Sequence, residues 1–118
     1  MRRWFERRFS FIDLDALHDA RLDDYRAGAS VLRAADLQNR KTHEGHHNER
    51  SLAELMEAFR RERGRFVARL EAWDPQRLSL CALHPRLQQP MRLGDMLYFV
   101  AEHDDHHLAW MTELARRG

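Results

Sequence analysis

Hydrophobic residues recur at intervals of three and four residues in three separate segments of this chain, a spacing typical of the buried face of an α-helix. The first segment covers residues 5–32, the second runs from Ser51 to Trp73, and the third runs from Met91 almost to the C-terminal end. The pattern therefore predicts three amphipathic helices.

Polar residues and a capping motif separate these helices. Residues 36–50 are largely polar and predict a long loop, and residues 80–89 predict a second, irregular connection. Ser51 and Glu54 stand three residues apart before a hydrophobic segment, which is the spacing of a capping box. The second helix is therefore expected to begin directly after Ser51.

Length and composition favour one helical domain. A chain of 118 residues suits a single domain, so residues 1–118 are expected to fold as one unit. Five glycines and three prolines argue against a turn-rich all-β fold. The predicted fold class is all-α, a helical bundle. Three helices form a thin bundle whose core a second subunit would close, so a homodimer is expected.

Charge, hydropathy and cysteine content exclude several classes of function. The formal net charge of +1 argues against nucleic acid as a partner, although arginines cluster in the first eight residues. No apolar segment is long enough to span a bilayer, so no membrane association is expected. The single cysteine, Cys81, precludes an internal disulfide and suits a reducing compartment, which favours a cytoplasmic protein.

Two histidines lie on the hydrophobic face of the third predicted helix. At 100° per residue this face spans roughly 60°. Its members are Leu93, Met96, Val100, His103, His107, Met111 and Leu114. His103 and His107 are four residues apart, so their imidazoles are one helical turn apart and can bind one metal ion. The neighbouring Asp104 is placed to accept a hydrogen bond from an imidazole N–H.

Other interpretations of the histidines stay open at this point. The pair is also consistent with two core histidines that bond to polar neighbours, since every buried imidazole needs a polar partner. His18 lies on the hydrophobic face of the first helix, where it is either a partly buried histidine or a third metal ligand. Histidines at positions 43, 46 and 47 lie in the polar loop, and one of them would join the site only if that loop folded over it.

Two segments carry a resemblance to a known family, the DinB family, also called the YfiT-like metal-dependent hydrolase superfamily. The last third of that family closely resembles ALHPRLQQPMRLGDMLYFVAEHDDHHLAWMTEL, and its middle is similar to RLDDYRAGASVLRAADLQNRKTHEGHHNERSLAELMEAFRRER. The resemblance covers roughly residues 10–117. It implies a four-helix bundle, commonly dimeric, that binds a divalent metal, zinc or nickel. The implied ligands are one histidine of the second helix and an H-x-x-x-H pair of the last helix.

The resemblance can be carried over residue by residue. His103 and His107 match the metal-binding pair of the last helix, but the position of the second-helix histidine holds Ser10, in the run SFIDLD. The family's first helix has no counterpart in the sequence. The resemblance thus implies a DinB-like up-down bundle that lacks this helix and is completed by dimerisation. His18 lies eight residues after Ser10, about 12 Å along a helix, so it completes the site only with a shifted helix or a partner chain.

Two functional hypotheses follow. In the first, the protein is a DinB-type enzyme in which His103 and His107, with His18, hold a divalent metal. Such an enzyme would act as a metal-dependent hydrolase or a thiol S-transferase on a small thiol or another small metabolite. In the second, it is a degenerate, non-catalytic relative that serves as a dimeric binding or structural protein in a stress response, since the family is named for damage-inducible expression.

Overall fold

The computed structural model describes residues 10–35, residue 40 and residues 49–118, with side chains from residue 15 onward. Its elements in chain order are α1 (Ser10–Arg26), α2 (Leu52–Glu71), a short 3-10 helix (Pro75–Ser79), β1 (Cys81–Leu83), β2 (Pro90–Arg92) and α3 (Leu93–Arg117). The described chain is mostly helical, so the prediction of an all-α bundle is confirmed.

Helix α1 ends six residues earlier than the sequence pattern predicts. Gly28 adopts a φ of 70°, a left-handed conformation that favours glycine and ends helices. The Gly28 N–H donates to the carbonyl of Tyr25, and the Ala29 N–H donates to the carbonyl of Asp24. These two bonds form a Schellman motif, so the predicted continuation to residue 32 is wrong. The predicted start of this helix, at residues 5–9, lies outside the described residues.

Helix α2 begins where the capping motif predicts. The Ser51 hydroxyl accepts from the Glu54 N–H at 3.2 Å, and the Glu54 carboxylate accepts from the Ser51 N–H at 2.8 Å. Two backbone donors that the first helical turn leaves unpaired are thereby satisfied. The predicted capping box is confirmed.

The connection before α3 contains a small hairpin that the sequence pattern does not predict. Strand β1 pairs antiparallel with β2, in the register that sets Ala82 opposite Met91. Leu83 also bridges Val31 in parallel, and its N–H donates to the carbonyl of Ser30 at 2.8 Å. Strands of three residues are too short to show a period-two pattern. The hairpin holds the segment after α1 against the start of α3.

Ion pairs establish the relative directions of the helices. Arg63 pairs with Asp15, and Arg69, further along α2, pairs with Asp19, further along α1. Helices α1 and α2 are therefore parallel. Arg63 also pairs with Asp104, in the second half of α3, whereas the core residues of α2 beyond Arg63 pack with the first half of α3. Helix α3 is thus antiparallel to both, and up-down alternation holds between α2 and α3.

The hydrophobic core lies between the last turns of α1, the last half of α2, the hairpin and the first two turns of α3. Its members are Leu22, Tyr25, Leu32, Phe66, Ala82, Leu93, Met96 and Val100. The Tyr25 hydroxyl donates to the carbonyl of Met91 at 2.9 Å, which joins α1 to β2. Because Leu22 and Val100 mark one edge of the core, the next turns outward, at His18 and His103, lie directly beside it.

None of the described helices combines the length and the apolar composition needed to cross a membrane.

Candidate metal centre

His103 and His107 face each other on α3, one turn beyond the core. Their ring centroids are 4.4 Å apart and their Nε2 atoms are 3.1 Å apart. Both side chains are half-buried, because Leu93, Met96 and Val100 of the same helical face are fully packed in the core. As predicted, His103 and His107 lie on the face of α3 that packs against the core. Met111, which is predicted on the same face, is exposed.

The separation of the two nitrogens fits a shared metal ion. Two imidazole nitrogens bound to one tetrahedral zinc ion, each at about 2.0–2.1 Å, lie about 3.3 Å apart. The observed 3.1 Å between the Nε2 atoms of His103 and His107 is close to that value. These two side chains could therefore hold an ion with little rearrangement.

His18 lies on α1 in the neighbourhood of His103. Its side chain is 3% exposed, and its Nδ1 atom is buried without a hydrogen-bond partner. The ring of Phe99 stands 6.0 Å from the His18 ring and 5.8 Å from the His103 ring, so it contacts both histidines. Among the described residues, no group of three or more histidine, cysteine, aspartate or glutamate side chains is arranged to hold a metal ion. The assignment of His18 as third ligand stays a prediction.

Ser10 and the remaining histidines near the site or in the polar loop are placed as follows. Ser10 is the first residue of α1, two turns before His18, and its side chain lies outside the described residues. The histidines at positions 43, 46 and 47 also lie outside the described residues. His106 is exposed, with its ring 5.9 Å from that of His107.

An arginine between two aspartates borders the histidines. Arg63 of α2 forms ion pairs with Asp15 of α1 and with Asp104 of α3, and each carboxylate accepts two hydrogen bonds from the guanidinium. Both oxygens of Asp104 accept from Arg63, and its predicted role in orienting an imidazole stays a prediction. Sequence reasoning missed Asp15 and Arg63. Asp15 could have been found, since it stands three residues before His18 on the same face of α1.

The surroundings favour neutral imidazoles, the form that binds metals. Burial lowers the pKa of His18 to about 4, and the positive charge of Arg21 adds to the effect. Burial also lowers the pKa of His103 and, together with the nearby His103, that of His107. At neutral pH all three rings therefore present a lone pair, and no proton has to be displaced from an imidazolium before an ion binds.

Burial raises the pKa of Asp15, while the hydrogen bonds and charge of Arg63 oppose that rise. The hydrogen bond to Asp104 is the main factor that raises the pKa of the Arg63 guanidinium, so this residue stays charged. The cluster of Arg63, Asp15 and Asp104 is consequently an ionic one beside neutral rings.

Comparison with known proteins gives a match to a protein family. The sequence model of the DinB superfamily matches residues 4–111. No curated protein and no solved structure matches the chain. The family match spans α1, α2, the hairpin and α3 as far as Met111, and so includes His18, His103 and His107. The chain therefore belongs to the DinB superfamily.

Proposed function

We propose that this protein binds a divalent metal ion, zinc or nickel, through His103 and His107, with His18 as the third ligand. The observation that carries the proposal is the distance of 3.1 Å between the two Nε2 atoms on the buried side of α3. Two imidazoles four residues apart on an exposed helix face would be ordinary surface residues. Here both rings lie beside the core, and an ion between them would be bound by both Nε2 atoms.

Local charge supports a cation at this place. Asp15 and Asp104 each carry a negative charge and Arg63 carries one positive charge, so these three side chains sum to −1, while the positive charge of Arg21 also acts on His18. The side chain of Asp15 is only 4% exposed, so its field is weakly screened by water. The carboxylates favour a cation beside His103 and His107, whereas Arg21 opposes one beside His18.

His18 offers a buried nitrogen without a hydrogen-bond partner. It is the described buried histidine whose Nδ1 atom has no partner, and Phe99, whose ring contacts both His18 and His103, is half exposed and could rotate outward. A bound divalent ion would lower the pKa of a coordinated water or thiol and so supply a nucleophile at neutral pH. The activity that we propose is metal-dependent hydrolysis or thiol transfer on a small molecule.

Metal content and affinity test the proposal. Protein purified without a histidine tag is analysed for bound metal and then titrated with zinc and nickel by calorimetry. We expect one ion per chain for the wild type, strong loss of binding for the His103→Ala/His107→Ala variant, and weaker binding for His18→Ala. His106→Ala is the matched control, because His106 lies on the same helix but is exposed. Equal metal binding by wild type and the double variant would contradict the proposal.

A second candidate function is that of a non-catalytic dimeric protein, acting through binding or structure in a stress response. The observation that favours it is a set of exposed large apolar side chains along α3. They are Tyr98, Phe99, Leu108, Trp110 and Met111. A homodimer would cover part of this surface. Sedimentation at micromolar concentration tests this candidate: a dimer without bound metal favours it over the metal site, and a monomer contradicts it.

A further inference from the structure

Arg63 connects all three helices at the level of the histidines. Its Nε and Nη2 atoms donate to the two carboxylate oxygens of Asp15 on α1 at 3.0 and 2.9 Å. Its Nη1 and Nη2 atoms donate to the two oxygens of Asp104 on α3, at 2.5 and 3.1 Å. Paired hydrogen bonds of this kind fix the plane of the guanidinium as well as its distance from each carboxylate.

The connection is sheltered from solvent. The side chain of Asp15 is 4% exposed, and the side chains of Arg63 and Asp104 are each about one quarter exposed. The Arg63 guanidinium also lies 5.1 Å from the centre of the Phe59 ring, one turn earlier on α2. Partial burial and packing on an aromatic ring make this an ordered contact, unlike an ion pair between two mobile surface side chains.

The two aspartates stand next to the histidines in sequence. Asp15 lies three residues before His18 on the same face of α1, and Asp104 directly follows His103 on α3. We infer that Arg63 is a positioning residue that holds His18 at a fixed distance from His103 and His107 by binding both aspartates. The inference rests on the proposed function only where it concerns metal affinity.

A second arginine of α2 makes a matched control. Arg69 also pairs α2 with α1, through Asp19 and Asp23, and its side chain is as exposed as that of Arg63, at 24% against 23%. In the described residues Arg69 forms no ion pair with α3. Loss of Arg69 therefore removes a comparable ionic contact without releasing α3 from α1.

The first test measures metal affinity. Zinc and cobalt(II) are titrated into the wild type and into Arg63→Met, Arg63→Lys and Arg69→Met variants, and the visible absorption of bound cobalt reports the ligand geometry. We expect Arg63→Met to weaken binding about 10- to 100-fold, the range seen when groups that orient metal ligands are removed. The cobalt spectrum should change with it. Arg63→Lys should recover only part of the affinity, because an ammonium cannot bind both carboxylates in pairs, and Arg69→Met should stay within about threefold of the wild type.

The second test needs no metal. In the wild type, the ring contacts of Phe99 with His18 and His103 should give nuclear Overhauser effects between their ring protons. The effect between Phe99 and His18, which joins α3 to α1, should disappear in Arg63→Met and persist in Arg69→Met. The effect between Phe99 and His103 lies within α3 and should persist in both variants, and circular dichroism confirms that each variant is folded. If Arg63→Met does not fold, Asp104→Asn replaces it, since this change weakens only the contact with α3.

The outcomes separate the inference from the proposed function. If the wild type binds no metal, the proposed metal site is wrong, and the ring contacts alone decide whether Arg63 positions the histidines. The inference is overturned if the Phe99–His18 contact is the same in the Arg63 variants as in Arg69→Met and, where metal binds, their metal affinities are also the same.

Discussion

The Nε2 atom of His107 lies 3.1 Å from the Nε2 atom of His103, a distance at which one nitrogen donates a hydrogen bond and the other accepts it. Both rings are neutral at pH 7, because burial lowers the pKa of each. In the metal-free protein the two rings must therefore be different tautomers. One carries its proton on Nε2 and the other on Nδ1.

We expect nitrogen-15 spectra of the imidazoles to report this difference. The metal-free protein at pH 7 should show one Nε2–H and one Nδ1–H tautomer for His103 and His107. After one equivalent of zinc both should carry the proton on Nδ1, because both Nε2 atoms would be bound to the ion. Two identical tautomers before zinc is added would contradict the hydrogen bond between the rings, and unchanged spectra after zinc would contradict the shared metal.

Stability of the metal-free protein should fall on mild acidification because of His18. Its pKa is about 4 in the folded chain and about 6.5 when unfolded, so the unfolded state binds the additional proton between these values. The free energy of unfolding should therefore be highest above pH 6.5 and decrease as the pH falls towards 4. Between pH 7 and pH 4.5 the contribution of His18 to this loss is about 2–3 kcal/mol.

Urea denaturation with a chelator present measures this effect. His18→Gln should lose about 2–3 kcal/mol less stability than the wild type between the two pH values. His106→Gln, which replaces an exposed histidine, should lose as much as the wild type. An equal loss for all three proteins would show that His18 is not buried as a neutral ring.

The sequence pattern correctly predicts those features of the helices that depend only on residues of the same helix. The capping box at Ser51 and the buried positions Leu93, Met96 and Val100 follow from local spacing, and the structure has them where expected. The same spacing places His103 and His107 beside the core. These features need only the geometry of a single helix.

Features that depend on residues distant in sequence could not be predicted in this way. Arg63 meets Asp15 and Asp104 across 48 and 41 residues, and on its own helix it is one of several arginines in a charged segment. Only the packing of α1 beside α2 shows which of these arginines reaches the two aspartates. The contact of the Phe99 ring with His18 likewise depends on how α1 packs against α3.

Truncation of Met96 should destabilise the protein strongly. Its side chain is 1% exposed in the centre of the core, so Met96→Ala removes buried contacts and leaves a cavity. We expect a loss of about 2–5 kcal/mol in the free energy of unfolding. Met111→Ala is the matched control on the same helix, because Met111 is 42% exposed and its truncation should cost less than about 0.5 kcal/mol. Similar losses of unfolding free energy for both variants would show that Met96 does not lie in the centre of the core.

Removal of the Tyr25 hydroxyl should have a smaller effect. This group donates to the carbonyl of Met91 at 2.9 Å, and Tyr25→Phe leaves that acceptor without its donor while the ring still fills the core. We expect a loss of about 1 kcal/mol by thermal or chemical denaturation. Tyr98→Phe, at a position that is 68% exposed, should be nearly neutral. If the two variants are equally stable, the hydrogen bond from the Tyr25 hydroxyl to Met91 does not stabilise the fold.

The bridge between Val31 and Leu83 has a consequence for the folding rate. Helical bundles usually fold fast, because most of their contacts join residues close in sequence. Here Leu83 must meet a segment about fifty residues earlier, and Tyr25 must reach Met91 across 66 residues, before the core is complete. Each of these contacts requires the closure of a long loop, which costs entropy before any burial compensates for it. The protein is therefore expected to fold more slowly than a helical bundle of its length, because the bridge between Val31 and Leu83 joins distant parts of the chain.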